Sequence, residues 1–159
     1  MKQIPERLLN IFRRYDTPTI LNSLELLDST FRTSCFTNEQ MICADTTLPP
    51  IVGYARTATL SSSSEVDPNI KRDRSLSYYE YLSPGTTPCI SVIQDVDERP
   101  GFGAFWGEVN SNIHNALGVI GVVTNGSVRD LDVLSEGFQV LAGPALRIVA
   151  ALLCAGGRR

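Results

Sequence analysis

GFGAFWGEVNSNIHNALGVIGVVTNGSVRDLD, residues Gly101 to Asp132, carries the alternation on which the fold turns: a glycine-rich loop, a helix, a buried strand and an Arg-Asp pair. Gly101, Gly103 and Gly107 let the backbone come close to a ligand. The segment after Gly107 is predicted as a helix closed by Gly118, and its first N–H groups, which lack intrahelical partners, can receive an anion. Val119 to Val123 is apolar except for Gly121, too short and too tightly bounded by glycine for a helix, and is predicted as a covered strand. Thr124-Asn125-Gly126 turns the chain. Ser127-Val128 then delivers Arg129 and Asp130 at a strand-to-helix junction, where α/β proteins place ligand groups.

Working outward, a short helix is expected from Leu131 to Glu136, stopped by Gly137, and a further apolar strand from Phe138 to Ala142. Upstream, Cys89 to Ile93 and Ile51 to Leu60 have the β-branched, alternating character of strands. Strands alternating with helices predict an α/β core with largely parallel pairing. Near the amino terminus, Leu8, Leu9, Ile11 and Phe12 have helical spacing, and Asp16-Thr17-Pro18 opens a second helix carrying Ile20, Leu21, Leu24 and Leu27 on its apolar face. Asp28 to Pro50 is irregular, with one short strand near Met41 to Ala44. The Ser61-Ser62-Ser63-Ser64 tract and the mixed charges through Arg74 are expected to form a solvated loop bordering the cleft. Tyr78, Tyr79 and Tyr81 are assigned to the packed end of a helix rather than to base stacking. Gln94 to Glu98 is expected to be a solvated acidic loop, with a contribution to a metal site as the alternative.

Composition narrows the function. The 159 residues suit one domain with one core, and 14 Lys and Arg against 17 Asp and Glu give a net charge of −3. That balance gives no pull toward phosphate backbones, so a general nucleic-acid binder is disfavoured and a small-molecule or protein partner fits better. No run approaches the roughly 20 apolar residues that span a bilayer, and a cytoplasmic protein without a membrane partner is expected. Four cysteines, Cys35, Cys43, Cys89 and Cys154, show no C-x-x-C spacing and are expected to be reduced thiols.

The pattern G-x-x-A-x-W-G-E, a helix, then G-x-x-G-V-V-x-[DN]-G-x-V-R-D resembles the RraA-like family. That family includes divalent-metal-dependent 4-hydroxy-4-methyl-2-oxoglutarate aldolases and regulators of ribonuclease E activity. The resemblance is strongest over Gly101 to Ala142 and looser over Pro18 to Leu24, Val52 to Thr57 and Ser83 to Gly85. It implies an α/β fold, the RraA-like layered β/β/α sandwich in a single domain, commonly assembled as a homotrimer. On this view residues 1–28 are amino-terminal helices, 51–142 the core, and 143–159 a divergent, short apolar helix where family members continue with further strands and a Pro-Gly-Asp turn. Asn22 stands where an acidic residue is common in the family.

The resemblance also implies roles. Backbone N–H groups of Gly107, Glu108, Val109 and Asn110 would hold a substrate carboxylate, Arg129 would bind substrate and the developing enolate, and Asp130 would ligate the metal. One carboxylate with several waters suits Mg²⁺ or Mn²⁺ better than zinc, which wants several His or Cys ligands. His114, the only histidine, is assigned to the surface or to packing. Val133 occupies the position where the aldolase pattern tends to show a carboxylate, and Asp132, one residue earlier, would point about 100° away around a helix. Two classes follow: a metal-dependent lyase that forms pyruvate from 4-hydroxy-4-methyl-2-oxoglutarate, with oxaloacetate decarboxylation as a related reaction, or a non-catalytic regulator that binds ribonuclease E or another protein.

Overall fold

The computed structural model describes residues 3–83 and 87–143. In chain order its elements are α1 (Glu6–Phe12), α2 (Thr17–Leu27), α3 (Phe31–Ser34), β1 (Ile42–Cys43), β2 (Tyr54–Leu60), α4 (Pro68–Leu82), β3 (Cys89–Asp95), α5 (Glu108–Ala116), β4 (Val119–Thr124), a 3-10 turn (Leu131–Val133) and β5 (Gln139–Ala142). The strands form one mixed sheet in the order β1-β5-β4-β3-β2. β2, β3, β4 and β5 run parallel, and β1 lies antiparallel on β5 with Ile42 opposite Ala142. The parallel α/β core expected from the alternation is therefore present.

Side chains alternate across a strand, so the register sorts the sheet into two faces. Cys89, Ser91, Ile93 and Asp95 of β3 are buried, and Val122, Val140 and Ala142 continue that face. Helices α4 and α5 cover it: the Tyr78 hydroxyl of α4 lies 2.7 Å from Ser91 Oγ and 3.0 Å from His114 Nε2 of α5. On the other face, Thr57 is exposed and the aligned Val92, Val123 and Leu141 are half-buried. The core closes around Trp106, which stacks on Phe138 with ring centroids 5.8 Å apart and lies 4.5 Å from the His114 ring. Burying aromatic surface of this size is the largest single contribution a side chain makes to a core.

The amino-terminal helices form as predicted. Pro18 sits in the first turn of α2, and the Asp16 carboxylate caps it by accepting from Thr19 N–H at 2.8 Å. Yet no residue of α2 is buried; Leu26 and Leu27 are 89% and 83% exposed.

Several local expectations are corrected. Residues 61–74 are not one loop, because the chain turns helical at Pro68; Asp67 accepts from the N–H groups of Asn69 and Ile70, so the capping signal outweighs a polar, weakly periodic sequence. Helix α3 interrupts the irregular stretch before β1. Leu131 to Glu136 forms only a single 3-10 turn, since three residues leave no length for a second hydrogen-bonded turn. Cys35, Cys43 and Cys89 are free thiols. The carboxyl-terminal helix and the Pro84-Gly85 part of the predicted turn lie outside the described residues. Among the described residues no helix is long and apolar enough to cross a membrane.

Candidate active site at the start of α5

Two loop segments meet just before α5. Trp106 forms a parallel bridge with Val128, and Arg129 N–H donates to the Trp106 carbonyl at 3.0 Å, which sets Arg129 and Asp130 against Gly107. Gly107 is buried, and a Cβ on it would stand 2.7 Å from Asp130 Oδ2 and 3.0 Å from Arg129 Cγ. Glycine is required there for the close approach and not for a left-handed backbone, since its φ is 178°. Arg129 Nε and Asp130 Oδ2 are 3.5 Å apart, with both side chains about half exposed.

Asp130 carries the strained backbone of the site. Its φ of 57° and ψ of 42° are left-handed, and it is the only non-glycine residue among the described ones with positive φ. Such a conformation costs roughly 1 kcal/mol or more and persists where the surroundings over-determine it, a situation concentrated at functional sites. Opposite it, α5 begins at Gly107 with no side-chain cap, and the first intrahelical bond runs from Ser111 N–H to Gly107 O at 2.9 Å. The first N–H groups of α5, and the partial positive charge of the helix start, therefore have no side-chain cap.

Buried carboxylates brace the loops leading here. Asp95, only 2% exposed, accepts from Gly101 N–H at 2.7 Å and Asp97 N–H at 3.0 Å, while Asn125 bonds both backbone groups of Asp95 at 2.7 and 2.9 Å. Ser127 Oγ donates to the Gly101 carbonyl at 2.9 Å. Asp97 accepts from the Ser61 and Ser63 hydroxyls and the Ser62 N–H, and these bonds, led by Ser61, hold its carboxyl down at about 2. The acidic stretch is thus neither a solvated loop nor a ligand set: Asp95 and Asp97 turn inward and tie the serine tract and the glycine-rich loop to the end of β3.

Behind α5, His114 is fully buried. Its Nδ1 lies 2.6 Å from the Asn110 carbonyl and so carries the proton, leaving Nε2 to accept from Tyr78. Burial lowers its pKa to about 4, and burial likewise raises the Tyr78 hydroxyl to about 12. The packing assignment for His114 holds.

Of the six predicted site residues, four are consecutive at the start of α5 and two lie at the Arg-Asp pair. Gly107, Arg129 and Asp130 touch one another, Glu108 and Val109 point their side chains into solvent, and Asn110 turns inward. Sequence reasoning missed Asp95, Tyr79 and the inward role of the Asn110 side chain; the Asn110–His114 spacing of four was the one local signal that both share a helix face. The 3-10 turn also lines a cavity of about 300 Å³ with Asp45, Leu48, Glu136 and Phe138, but Arg129 and Asp130 are not among its walls.

This arrangement, a mostly parallel sheet with an arginine and a carboxylate brought to an uncapped helix start, defines a single-sheet α/β protein. The chain belongs to the RraA-like family (Aldolase/RraA), whose model matches residues 17–146. Two solved structures share the fold. One, titled as novel cellulases from microbes associated with the gut ecosystem, has a TM-score of 0.63 at 14% identity, with 89% of this chain and 60% of that chain covered. The other is Streptomyces coelicolor RraAS2, titled an unusual member of the RNase ES inhibitor RraA protein family, with a TM-score of 0.57 at 19% identity, 91% of this chain and 67% of that chain. This chain thus spans about three fifths of the first of these structures. No curated protein matches it.

Proposed function

We propose that the protein is a divalent-metal-assisted lyase for α-keto acids, cleaving 4-hydroxy-4-methyl-2-oxoglutarate to pyruvate and decarboxylating oxaloacetate as a side reaction. One observation carries this reading: the left-handed Asp130 and its neighbour Arg129 are held against the bare Gly107 at the uncapped start of α5.

The residues present fit a hard, water-rich cation. Asp130 Oδ2 faces the space that Gly107 leaves empty of a side chain, and a single carboxylate suits Mg²⁺ or Mn²⁺, which keep several waters and complete their shell with substrate oxygens. Among the described residues no group of three or more His, Cys, Asp or Glu side chains is placed to hold a metal, which argues against zinc. When bound, such a cation would polarise the keto oxygen and offset charge on the enolate.

The chain's own groups divide the remaining work. The N–H groups at Gly107, Glu108, Val109 and Asn110 receive the substrate carboxylate, favoured by the helix dipole. Arg129 presents a planar fork of donors to the keto acid and is worth most when the carbon–carbon bond breaks and its electron pair moves into the keto group as an enolate. In the aldol cleavage the 4-hydroxyl gives its proton to solvent and becomes the keto group of the second pyruvate. In oxaloacetate the bond lost is to the departing CO₂, and a proton from solvent then converts the enolate to pyruvate.

A second reading has its own observation. Leu131 and Val133, beside the Arg-Asp pair, are 39% and 48% exposed, an apolar lip where the lyase pattern would place a carboxylate. A lip of that kind suits a non-catalytic regulator that binds ribonuclease E or another protein. The deciding experiment measures pyruvate released from both substrates with Mg²⁺, with Mn²⁺ and with chelator. Metal-dependent release supports the lyase; its absence from well-folded protein transfers the function to the regulator.

A further inference from the structure

The first turn of α5 is fastened in an unusual direction. In α2 and α4 an aspartate side chain at the N-cap accepts from the free N–H groups at the start. Here the side chain of Asn110, in the third helical position, points back the other way: its Nδ2 donates to the Phe105 carbonyl, two residues before the cap. Its Oδ1 accepts from the Tyr79 hydroxyl of α4 at 3.0 Å. One further bond comes from below, where His114 Nδ1 meets the Asn110 carbonyl at 2.6 Å. The turn from Phe105 to Asn110 is closed through carbonyl oxygens and side chains alone. None of these bonds consumes an N–H of residues 107–110.

We propose that Tyr79 and Asn110 are positioning residues for the anion site: they lock the helix start to α4 through the Phe105 carbonyl while leaving its N–H groups free for a ligand carboxylate. This rests on the site reading above and deepens it, because an ordinary N-cap at this position would steady the helix but occupy the donors. Tyr79 is suited to the task; its hydroxyl is half-buried, and desolvation raises its pKa, so it remains a neutral donor at physiological pH. Trp106 lies inside the fastened turn, with its ring against Phe105 at 5.4 Å, and it is the only tryptophan in the chain. Its fluorescence therefore reports on this turn.

The test compares wild type with Tyr79→Phe and Asn110→Asp, using oxalate in Mg²⁺ buffer as the probe and following titration by calorimetry and Trp106 fluorescence. Phenylalanine keeps the ring and removes only the hydroxyl. Aspartate keeps the shape, removes the donor to Phe105, and supplies an acceptor able to cap the N–H groups. The expected result is at least about tenfold weaker oxalate binding in both variants, with the larger loss in Asn110→Asp. Amide exchange from Ser111 to Leu117 should accelerate in Tyr79→Phe while the β3 and β4 amides stay protected. Oxalate affinity equal to wild type in both variants overturns the proposal. Wild type that binds no oxalate, or an Arg129→Ala variant that binds it normally, sinks the site reading instead; exchange then judges the lock by itself, and unchanged exchange in Tyr79→Phe refutes it.

Discussion

Asp130 Oδ2 sits 3.5 Å from Arg129 Nε, with the bare Gly107 beside both. The pair is too exposed to matter much for stability, since surface ion pairs contribute about 0–1 kcal/mol. Its left-handed backbone works against stability. A costly conformation holding a low-value ion pair makes sense when the geometry serves a ligand.

Replacing Gly107 by alanine tests that geometry directly. The added methyl would stand 2.7 Å from Asp130 Oδ2, so Asp130 or Arg129 must move. A destabilisation of about 1–3 kcal/mol is expected from the clash, together with a fall of more than about tenfold in kcat/KM for oxaloacetate. A Gly107→Ala protein with wild-type melting and kinetics would show that the space is not used.

Asp130→Asn separates charge from shape. Asparagine accepts the left-handed conformation readily and preserves the volume, so the melting temperature should stay within a few degrees of wild type. Loss of the carboxylate should cut metal-dependent turnover by about a hundredfold or more. Full activity in this variant would take Asp130 out of cation binding.

Arg129→Lys distinguishes a ligand arginine from a structural ion pair. A lysine retains the charge but cannot reproduce the planar fork, so both kcat and kcat/KM should drop if Arg129 meets the enolate. An ion pair without a catalytic duty would leave the two enzymes alike. Steady-state kinetics on oxaloacetate, with melts as a control on folding, gives the answer.

Stability should depend on acid in two windows. Folding lowers the His114 pKa from 6.5 to about 4, so the unfolded chain takes up a proton that the folded chain refuses. Stability is therefore unaffected above pH 6.5 and falls as pH drops through the window, by on the order of 3 kcal/mol near pH 4. Asp97, depressed from 3.8 to about 2, adds a second loss between those values as its serine bonds are given up. Urea denaturation from pH 7.5 to 4.5 measures the first window. A His114→Gln variant with the same slope between pH 6.5 and 5 would contradict the assignment.

Self-association should involve the amino-terminal helices. Leu26 and Leu27 of α2 and Phe36 just beyond α3 are exposed, a surface more apolar than a monomer usually presents. Sedimentation at micromolar concentration is expected to show an oligomer, in keeping with a homotrimer, and Leu26→Glu with Leu27→Glu should shift it toward monomer. A wild-type monomer would end this expectation.

The sequence by itself determined the parallel core and the order of the elements that carry the candidate site. Gly101 to Asp132 showed its helix, its strand and its Arg-Asp pair because local rules govern each: glycine bounds the elements, and an apolar run too short for a helix must be a covered strand. Only the tyrosine end of helix α4 was legible; its Asp67-Pro68 start was read as loop, since its side chains lack clean periodicity and its stability comes from packing Tyr78 and Leu82 onto the sheet. Tertiary structure alone decided which way the polar groups turned. Asp97 is buried because an N–H group and hydroxyls of the distant serine tract converge on it, and Asp95 because the glycine-rich loop folds back on its carboxylate while the distant Asn125 holds its backbone, compensating the cost of desolvation. Asn110 faces Tyr79, 31 residues away, for the same reason. Partners so far apart in the chain leave no spacing to read; only the closed sheet, with α4 and α5 on one face, brings them within a hydrogen bond.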